Sequence, residues 1–354
     1  MRVLQIGSDR TILDADSRSA ARMRAYGKKF GKLDIIVFSR RRMARSVKLS
    51  DDVDAYATNS SSRFLYVFGA TYTGLKLPHP DVVSVQDPFE AGFAGLVISL
   101  IRRVPLHVQI HTDFLSPEFS KLSVINRLRV FIAGIVLRYA TRIRVVSERV
   151  RRSIEPRYEL HAPISILPIF VNVERFRATL PDEALVARDH LFNYKFLVVS
   201  RLEKEKNVSL AISAFAQASI EKSCLIIIGD GSELKELRKF AEKKGVGKWV
   251  FFEGYADPAT YYKVVDLVLF PSLYDGYGMV IVEALAAGVP VLSTDVGIAR
   301  EAGAIISPPE KFGEALKRWS KDGPRKAELK NYPYRSFVEY VQECCDDIAS
   351  CASR

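Results

Sequence analysis

Short aliphatic and β-branched runs alternate with segments of helical periodicity along the chain, and the whole alternation occurs twice. Such a pattern predicts βαβ units whose strands lie parallel in a sheet. In the first half, strands are expected at 2–7, 33–38, 64–68, 82–86, 106–110 and 143–146, with helices at 17–30, 90–102 and 124–139. In the second half, strands are expected at 196–200, 225–229, 250–253, 267–271 and 289–293. Helices are expected there at 207–218, 233–244, 259–264, 280–287 and 309–320. In helix 233–244, Ser232 suits the N-cap, Leu234, Leu237, Phe240 and Ala241 share one face, and Gly245 suits the end.

The fold class is therefore α/β, with two Rossmann-like, doubly wound domains at 1–180 and 190–335. The weakly periodic stretch 176–193, with Pro181, is the expected link. Segment 336–354 reads as one more helix, and its return to the first domain stays open. Open α/β sheets bind ligands beyond the carboxyl ends of their strands, so two such domains facing across a cleft would share one site.

With 354 residues and 48% hydrophobic content, the chain can fill two cores and is no candidate for disorder. Its net charge of +11 is lopsided. Residues 1–185 hold 29 Lys+Arg against 18 Asp+Glu, while residues 186–354 hold 23 of each. A basic half can face nucleic acid, an anionic membrane or an acidic substrate, or simply be a well-solvated surface. Cys224, Cys344, Cys345 and Cys351 form no CxxC pair, which argues against zinc and a disulfide framework and fits a reducing cytoplasm. Met1 opens directly into a strand pattern, so no secretory leader is expected. The longest apolar stretches, 91–101 and 130–137, fall well short of the roughly 20 residues of a spanning helix.

Three constellations carry chemistry. In 200–207 (SRLEKEKN), Arg201 follows a strand and Lys206 opens a helix, a fork and a point charge suited to a diphosphate. The bland alternative is a solvated charged turn. Next, Gly229-Asp230-Gly231 ends an apolar strand. It begins like GxGxxG but lacks the third glycine, and it implies a tight turn where a ligand could approach the backbone. The third is 271–288 (PSLYDGYGMVIVEALAAG). Here a glycine-containing loop opens a helix whose free amides and dipole suit an anion. Glu283 is the sole charge between Gly276 and Gly288, and a carboxylate there needs donors such as ribose hydroxyls, or a buried Arg or Lys.

Together these residues resemble the nucleotide-binding domain of the family 4 glycosyltransferases, retaining enzymes of the GT-B fold. The run Arg201…Lys206, then Gly229-Asp230-Gly231, then an E-x7-E stretch ending at Glu283, has the family's order and spacing. The resemblance implies that Arg201 and Lys206 grip the donor diphosphate and that Glu283 holds the ribose. It implies that amides around Gly276, Tyr277, Gly278 and Met279 touch phosphate or sugar, and that Gly229, Asp230, Gly231 and Tyr255 flank the base. The first acidic position of E-x7-E, which would touch the sugar, is Asp275, one C–C bond shorter than the family's Glu.

In the first half, 82–89 and 108–114 resemble two strand-end motifs of the same family. They place Asp87 and Asp113 on the acceptor side and His111 beside the reacting sugar, unless that histidine only ties a turn. The family's glycine pair after the first strand is here Gly7-Ser8, and its GVD…F segment is Val171-Asn172-Val173…Phe176.

The resemblance implies a hexosyltransferase using a GDP- or UDP-linked sugar as co-substrate, with no separate cofactor, no metal and a lipid or glycan acceptor. The basic first half suggests an anionic membrane surface, for a protein that is cytoplasmic or peripheral on the inner face of the plasma membrane. Segment 125–142, with Arg127, Arg129, Arg138 and Arg142 among apolar residues, reads as a surface helix or an ordinary core helix. The competing readings are a nucleotide-sugar epimerase or hydrolase of the same fold, and a non-catalytic sugar-nucleotide binder. A nucleic-acid partner is not expected, because GxxxxGK[ST] and aromatic-interleaved basic motifs are missing.

Overall fold

Continuous Val, Ile and Leu runs such as Leu225–Ile228 cannot leave either face in water, so they pair as parallel strands covered by helices on both sides. The computed structural model describes residues 1–40, 43–189 and 191–352. They divide into two units, Met1–Pro168 with Tyr334–Arg354, and Ile169–Pro333.

The first unit holds strands β1 (Arg2–Gly7), β2 (Lys32–Val37), β3 (Ser46–Ser50), β4 (Val53–Ala57), β5 (Val82–Val85), β6 (Leu106–Ile110), β7 (Arg142–Val145) and β8 (Ile164–Ile166). Their order is β3-β4-β2-β1-β5-β6-β7-β8. Only β3, a half-exposed edge strand, runs antiparallel to its neighbour. The second unit holds β9 (Tyr194–Val199), β10 (Ser223–Ile228), β11 (Val250–Gly254), β12 (Leu267–Phe270), β13 (Val291–Ser293) and β14 (Ile305–Ile306). They form an all-parallel sheet ordered β11-β10-β9-β12-β13-β14.

Three local expectations are corrected. Segment 64–68 is not a strand: a short 3-10 turn, Arg63–Leu65, leads into the helix Tyr66–Lys76. Its aromatics suggest a strand, yet Phe64 and Phe68 are exposed, and burial recurs every fourth residue at Tyr66, Ala70 and Gly74. Ser232 does not cap the next helix, which is Leu234–Lys243 with Glu233 at its N-cap; the Ser232 hydroxyl instead donates to Glu203 at 2.7 Å. The division between units lies at 168/169 rather than in 176–193. Helix Val173–Ala178 packs on helix Met279–Ala286, with Phe176 edge-on to Tyr262 at 5.8 Å, so it is part of the second core. Residue 190, the expected start of the second domain, and the last two residues of the tail lie outside the described residues.

The tail forms the helix Phe337–Ala349, which packs in the first unit. It is anchored through a carboxylate: Asp347 accepts hydrogen bonds from His107, Arg142 and Ser165, which stand on β6, β7 and β8.

Candidate active site

The second sheet reverses its winding between β9 and β12, with β10 and β11 on one side and β13 and β14 on the other. Connections leaving two adjacent strands in opposite directions open a crevice at their carboxyl ends. The segments that follow these strands meet there. Lys206 Nζ lies 2.6 Å from Asp275 Oδ2, and both side chains are mostly buried. The Leu273 amide donates to the Glu205 carbonyl at 2.8 Å, which ties the two segments together. Arg201 is 73% exposed and, among the described residues, reaches only Glu205, at 3.0 Å. An exposed pair of that kind is worth about 0.5 kcal/mol or less, so the guanidinium can turn to an anion at little cost.

Asp275 Oδ1 accepts the Tyr277 amide at 3.1 Å. The Tyr277 carbonyl accepts the Ile298 amide at 2.9 Å, and Thr294 Oγ1 donates to the Ser272 carbonyl at 2.6 Å. Gly297, at φ +52°, permits this bracing: a Cβ there would stand 2.2 Å from the Tyr277 oxygen. Gly278, at φ +93°, then turns the chain into helix Met279–Ala286, and no side chain caps its N-terminus. Among the described residues, the first-turn amides of Met279 and Val280 have no protein acceptor. They are free donors at the positive end of the helix dipole.

One turn further, burial pushes the Glu283 carboxyl up to about 7, against the lowering effects of the Tyr262 hydroxyl and the Arg175 charge. Tyr262 donates to Glu283 Oε2 at 3.0 Å, while Oε1 accepts nothing among the described residues. A tyrosine thus stands where a buried Arg or Lys was the alternative. Beyond β11, Gly254 at φ +69° presents Tyr255, which is 96% exposed.

Gly229 and Gly231 are also required by the packing of the turn itself. A Cβ on Gly229 would lie 1.8 Å from the Ser200 oxygen, and one on Gly231 2.4 Å from the Leu202 oxygen. The space beside them is filled by main chain. Leu202 donates to the Asp230 carbonyl and Glu233 to the Leu202 carbonyl, both at 2.9 Å. The glycines let two strand-end loops close on each other, and this closure holds Arg201 at the sheet edge.

In the first unit the winding reverses between β1 and β5. Gly7 lies there against the Gln86 side chain, 3.2 Å from where its Cβ would be. Asp87 turns out to be a cap: its Oδ1 accepts the Phe89 and Ala91 amides at 2.8 and 3.3 Å, holding the start of helix Glu90–Arg102. Burial pushes its carboxyl up to about 6. Asp113 is buried with no partner for Oδ1 among the described residues, and burial raises its pKa as well, opposed by a Ser153 hydrogen bond. His111 directly follows β6. Burial pushes its pKa down to about 3, helped by the Arg144 charge, so the ring stays neutral. It makes no hydrogen bond among the described residues and therefore does not tie a turn.

Tyr262, Thr294 and Gly297 are the parts of this region that sequence reasoning missed. Tyr262 is one tyrosine among 15 and carries no motif. Gly297, in a Thr-Asp-Val-Gly run after a strand, was a readable turn signal.

Comparison with known proteins bears on the family and the fold. The family description "Glycosyltransferase Family 4" matches residues 28–175, and "Glycosyl transferases group 1" matches residues 190–336. A similar protein is the alpha-monoglucosyldiacylglycerol synthase of Acholeplasma laidlawii, 26% identical over 233 residues, or 60% of this chain. The match spans 58% of that synthase's length. Among solved structures, the sucrose-phosphate synthase of Thermosynechococcus elongatus aligns over 100% of this chain and 96% of its own, with TM-score 0.73 and 16% identity. HepE of Anabaena, solved with UDP and glucose, aligns over 100% and 97%, with TM-score 0.70 and 19% identity. With two parallel α/β sheets and the two family descriptions matched in succession along it, this chain belongs to glycosyltransferase family 4 and has the GT-B fold.

Proposed function

We propose that this chain moves a hexose of mannose or glucose type from a GDP- or UDP-linked donor to a lipid or glycan acceptor, with retention at the anomeric carbon. Its setting would be the building of cell-envelope glycoconjugates at the cytoplasmic face of the membrane. The observation that carries the reading is the Lys206–Asp275 pair at a sheet switch point, followed four residues later by an uncapped helix that bears Glu283.

Each part has a use. Lys206 and Arg201 would hold the diphosphate, aided by the free amides at Met279 and Val280. Glu283, with Oε1 unpaired, would accept the ribose hydroxyls, and exposed Tyr255 would lie along the base with the Gly229–Gly231 turn. Asp275 would orient the sugar while keeping Lys206 in place. On the other unit, neutral His111 would hydrogen-bond the sugar, and Asp113 would serve the acceptor side.

In the step itself the bond from the anomeric carbon to the diphosphate oxygen breaks, and a bond to the acceptor oxygen forms on the same face. The acceptor's proton passes to the departing phosphate oxygen. Charge grows on the leaving diphosphate, where fixed cations and amides act most strongly on the barrier. No metal and no separate base enter this scheme. Two of the similar proteins support the choice of partners, one named for a glucosylated diacylglycerol and one holding UDP and glucose.

The test is product analysis by NMR after incubating the full chain with UDP-glucose or GDP-mannose and a lipid extract. A glycolipid or glycan that keeps the donor's anomeric configuration is expected. An inverted product, or release of free sugar alone, overturns the reading.

A further inference from the structure

Helix Val124–Arg138 buries Asn126, Ala133, Val136 and Leu137 and turns its opposite face outward. An outward helix face is ordinarily polar. This one carries Val124, Leu128, Phe131 and Ile135, spaced four, three and four residues apart. The first three are 77%, 56% and 67% exposed. Beside that stripe lies a groove of about 610 Å³, lined in part by Phe131, Ile135 and Tyr158 and by Arg127, Arg138 and Arg157. Gly134 opens it: the Tyr158 ring lies 3.0 Å from where a Cβ at that position would be, and its hydroxyl donates to the Val130 carbonyl at 3.3 Å.

The three arginines are what make the face selective. Arg129, on the same helix, is neutralised by Glu90 at 2.9 Å. Arg127, Arg138 and Arg157 have no carboxylate partner among the described residues, and none of the acidic side chains lines the groove. Exposed apolar side chains interleaved with unpaired cations complement one kind of surface, a bilayer with anionic headgroups, where the side chains enter the acyl boundary and the arginines meet phosphates. A protein groove would need acidic residues of its own to match them. Among the described residues no helix is long and apolar enough to cross a membrane, so contact would be made from the surface.

We infer that this face is an interfacial docking surface for anionic lipid, with Val124, Leu128 and Phe131 as the inserting residues and Arg127, Arg138 and Arg157 as the headgroup clamp. The inference stands on the geometry of this helix and does not depend on the sugar-transfer reading. Binding supplies a local concentration of any lipid acceptor but takes no part in the chemistry.

The experiment is co-sedimentation of the full chain with phosphatidylcholine vesicles, with and without 40 mol% phosphatidylglycerol, at low and high salt. Wild type should bind the acidic vesicles and release at high salt. Replacing Arg127, Arg138 and Arg157 together by Ala should weaken that binding about 100-fold, each arginine counting for roughly fivefold at an acidic surface. Leu128→Ser with Phe131→Ser should weaken it comparably, while both variants keep the wild-type thermal shift with whichever of UDP or GDP stabilises the parent. Leu128 and Phe131 are both exposed and take no part in the core, so folding is preserved. Equal binding to neutral and acidic vesicles, or full binding by the arginine variant, overturns the inference. So does a concentration-dependent dimer in vesicle-free sedimentation that Phe131→Ser abolishes, since the face would then belong to a second copy.

Discussion

Tyr262 donates its hydroxyl to Glu283 at 3.0 Å, the one hydrogen bond among the described residues to a carboxyl group whose pKa burial has pushed up to about 7. The pair explains how an acidic residue survives in an otherwise apolar helix. It also leaves one carboxylate oxygen for a ligand.

The first prediction concerns stability. A carboxyl group with a folded pKa above its unfolded value favours the fold most at low pH, below the ordinary value of 4.5. That contribution is lost as pH rises through about 7, where the folded protein must carry a buried charge. Glu283→Gln keeps an acceptor for Tyr262 and removes the charge. It should stabilise the nucleotide-free protein at pH 8 by about 1–3 kcal/mol and change little at pH 4. Urea unfolding at the two pH values checks this; the same variant should bind donor nucleotide less well.

Gly229 makes the second. Its Cβ-less position is filled by the Ser200 carbonyl, so Gly229→Ala should cost about 3 kcal/mol or more, through strained backbone and a displaced loop. The unfolding midpoint should fall accordingly. Because the same loop carries Arg201, donor affinity should fall with it.

The sequence showed more of the frame than of the site. Helix Glu90–Arg102 could be read to the residue because its apolar face is continuous, as could the aliphatic strands β1 and β6, and β10 was read to within two residues. The β3–β4 hairpin was missed because its strands are half-exposed and rich in Ser, Asp and Lys, with no apolar period to read. At the site, motif spacing located Arg201, Lys206, Asp275 and Glu283, yet it could not say that Lys206 and Asp275 pair. Nor could it distinguish a glycine kept for a ligand from one kept for a neighbouring carbonyl, because that difference lies in three-dimensional packing. Asp87 is the same case: an acidic residue three positions before a helix is equally a cap or an acceptor contact until the amides are located.

His111 gives the third prediction. Its ring stays neutral because burial holds its pKa near 3. His111→Ala should lower kcat/KM about tenfold, the cost of one hydrogen bond to an uncharged group. The pH–rate profile between pH 5 and 9 should keep its shape. A profile whose inflection disappears with the histidine would mean that it titrates in catalysis.

Asp347 gives the fourth. Burial alone would raise its pKa, but hydrogen bonding and charge from His107, then Ser165 and Arg142, outweigh that and hold it down to about 2. Its contribution is present above pH 3.8 and is lost as pH falls through about 2. Asp347→Ala leaves fully buried His107 without its acceptor while half-exposed Arg142 can turn to water. The cost should be about 2–3 kcal/mol at pH 7, below that of a wholly buried broken pair. Hydrogen exchange should show the helix Phe337–Ala349 opening first.

The central claim is that Lys206, the free amides of the Met279 helix and Glu283 together clasp a nucleoside diphosphate. Titration calorimetry of UDP and of GDP into the full chain tests it most directly, with Lys206→Ala and Glu283→Ala alongside. One of the two nucleotides should bind the wild type. Lys206→Ala should weaken it by about 2–3 kcal/mol, as expected for a charge-assisted contact, with the variant's circular dichroism unchanged. Failure of both nucleotides to bind, or equal affinity in wild type and Lys206→Ala, would contradict the claim.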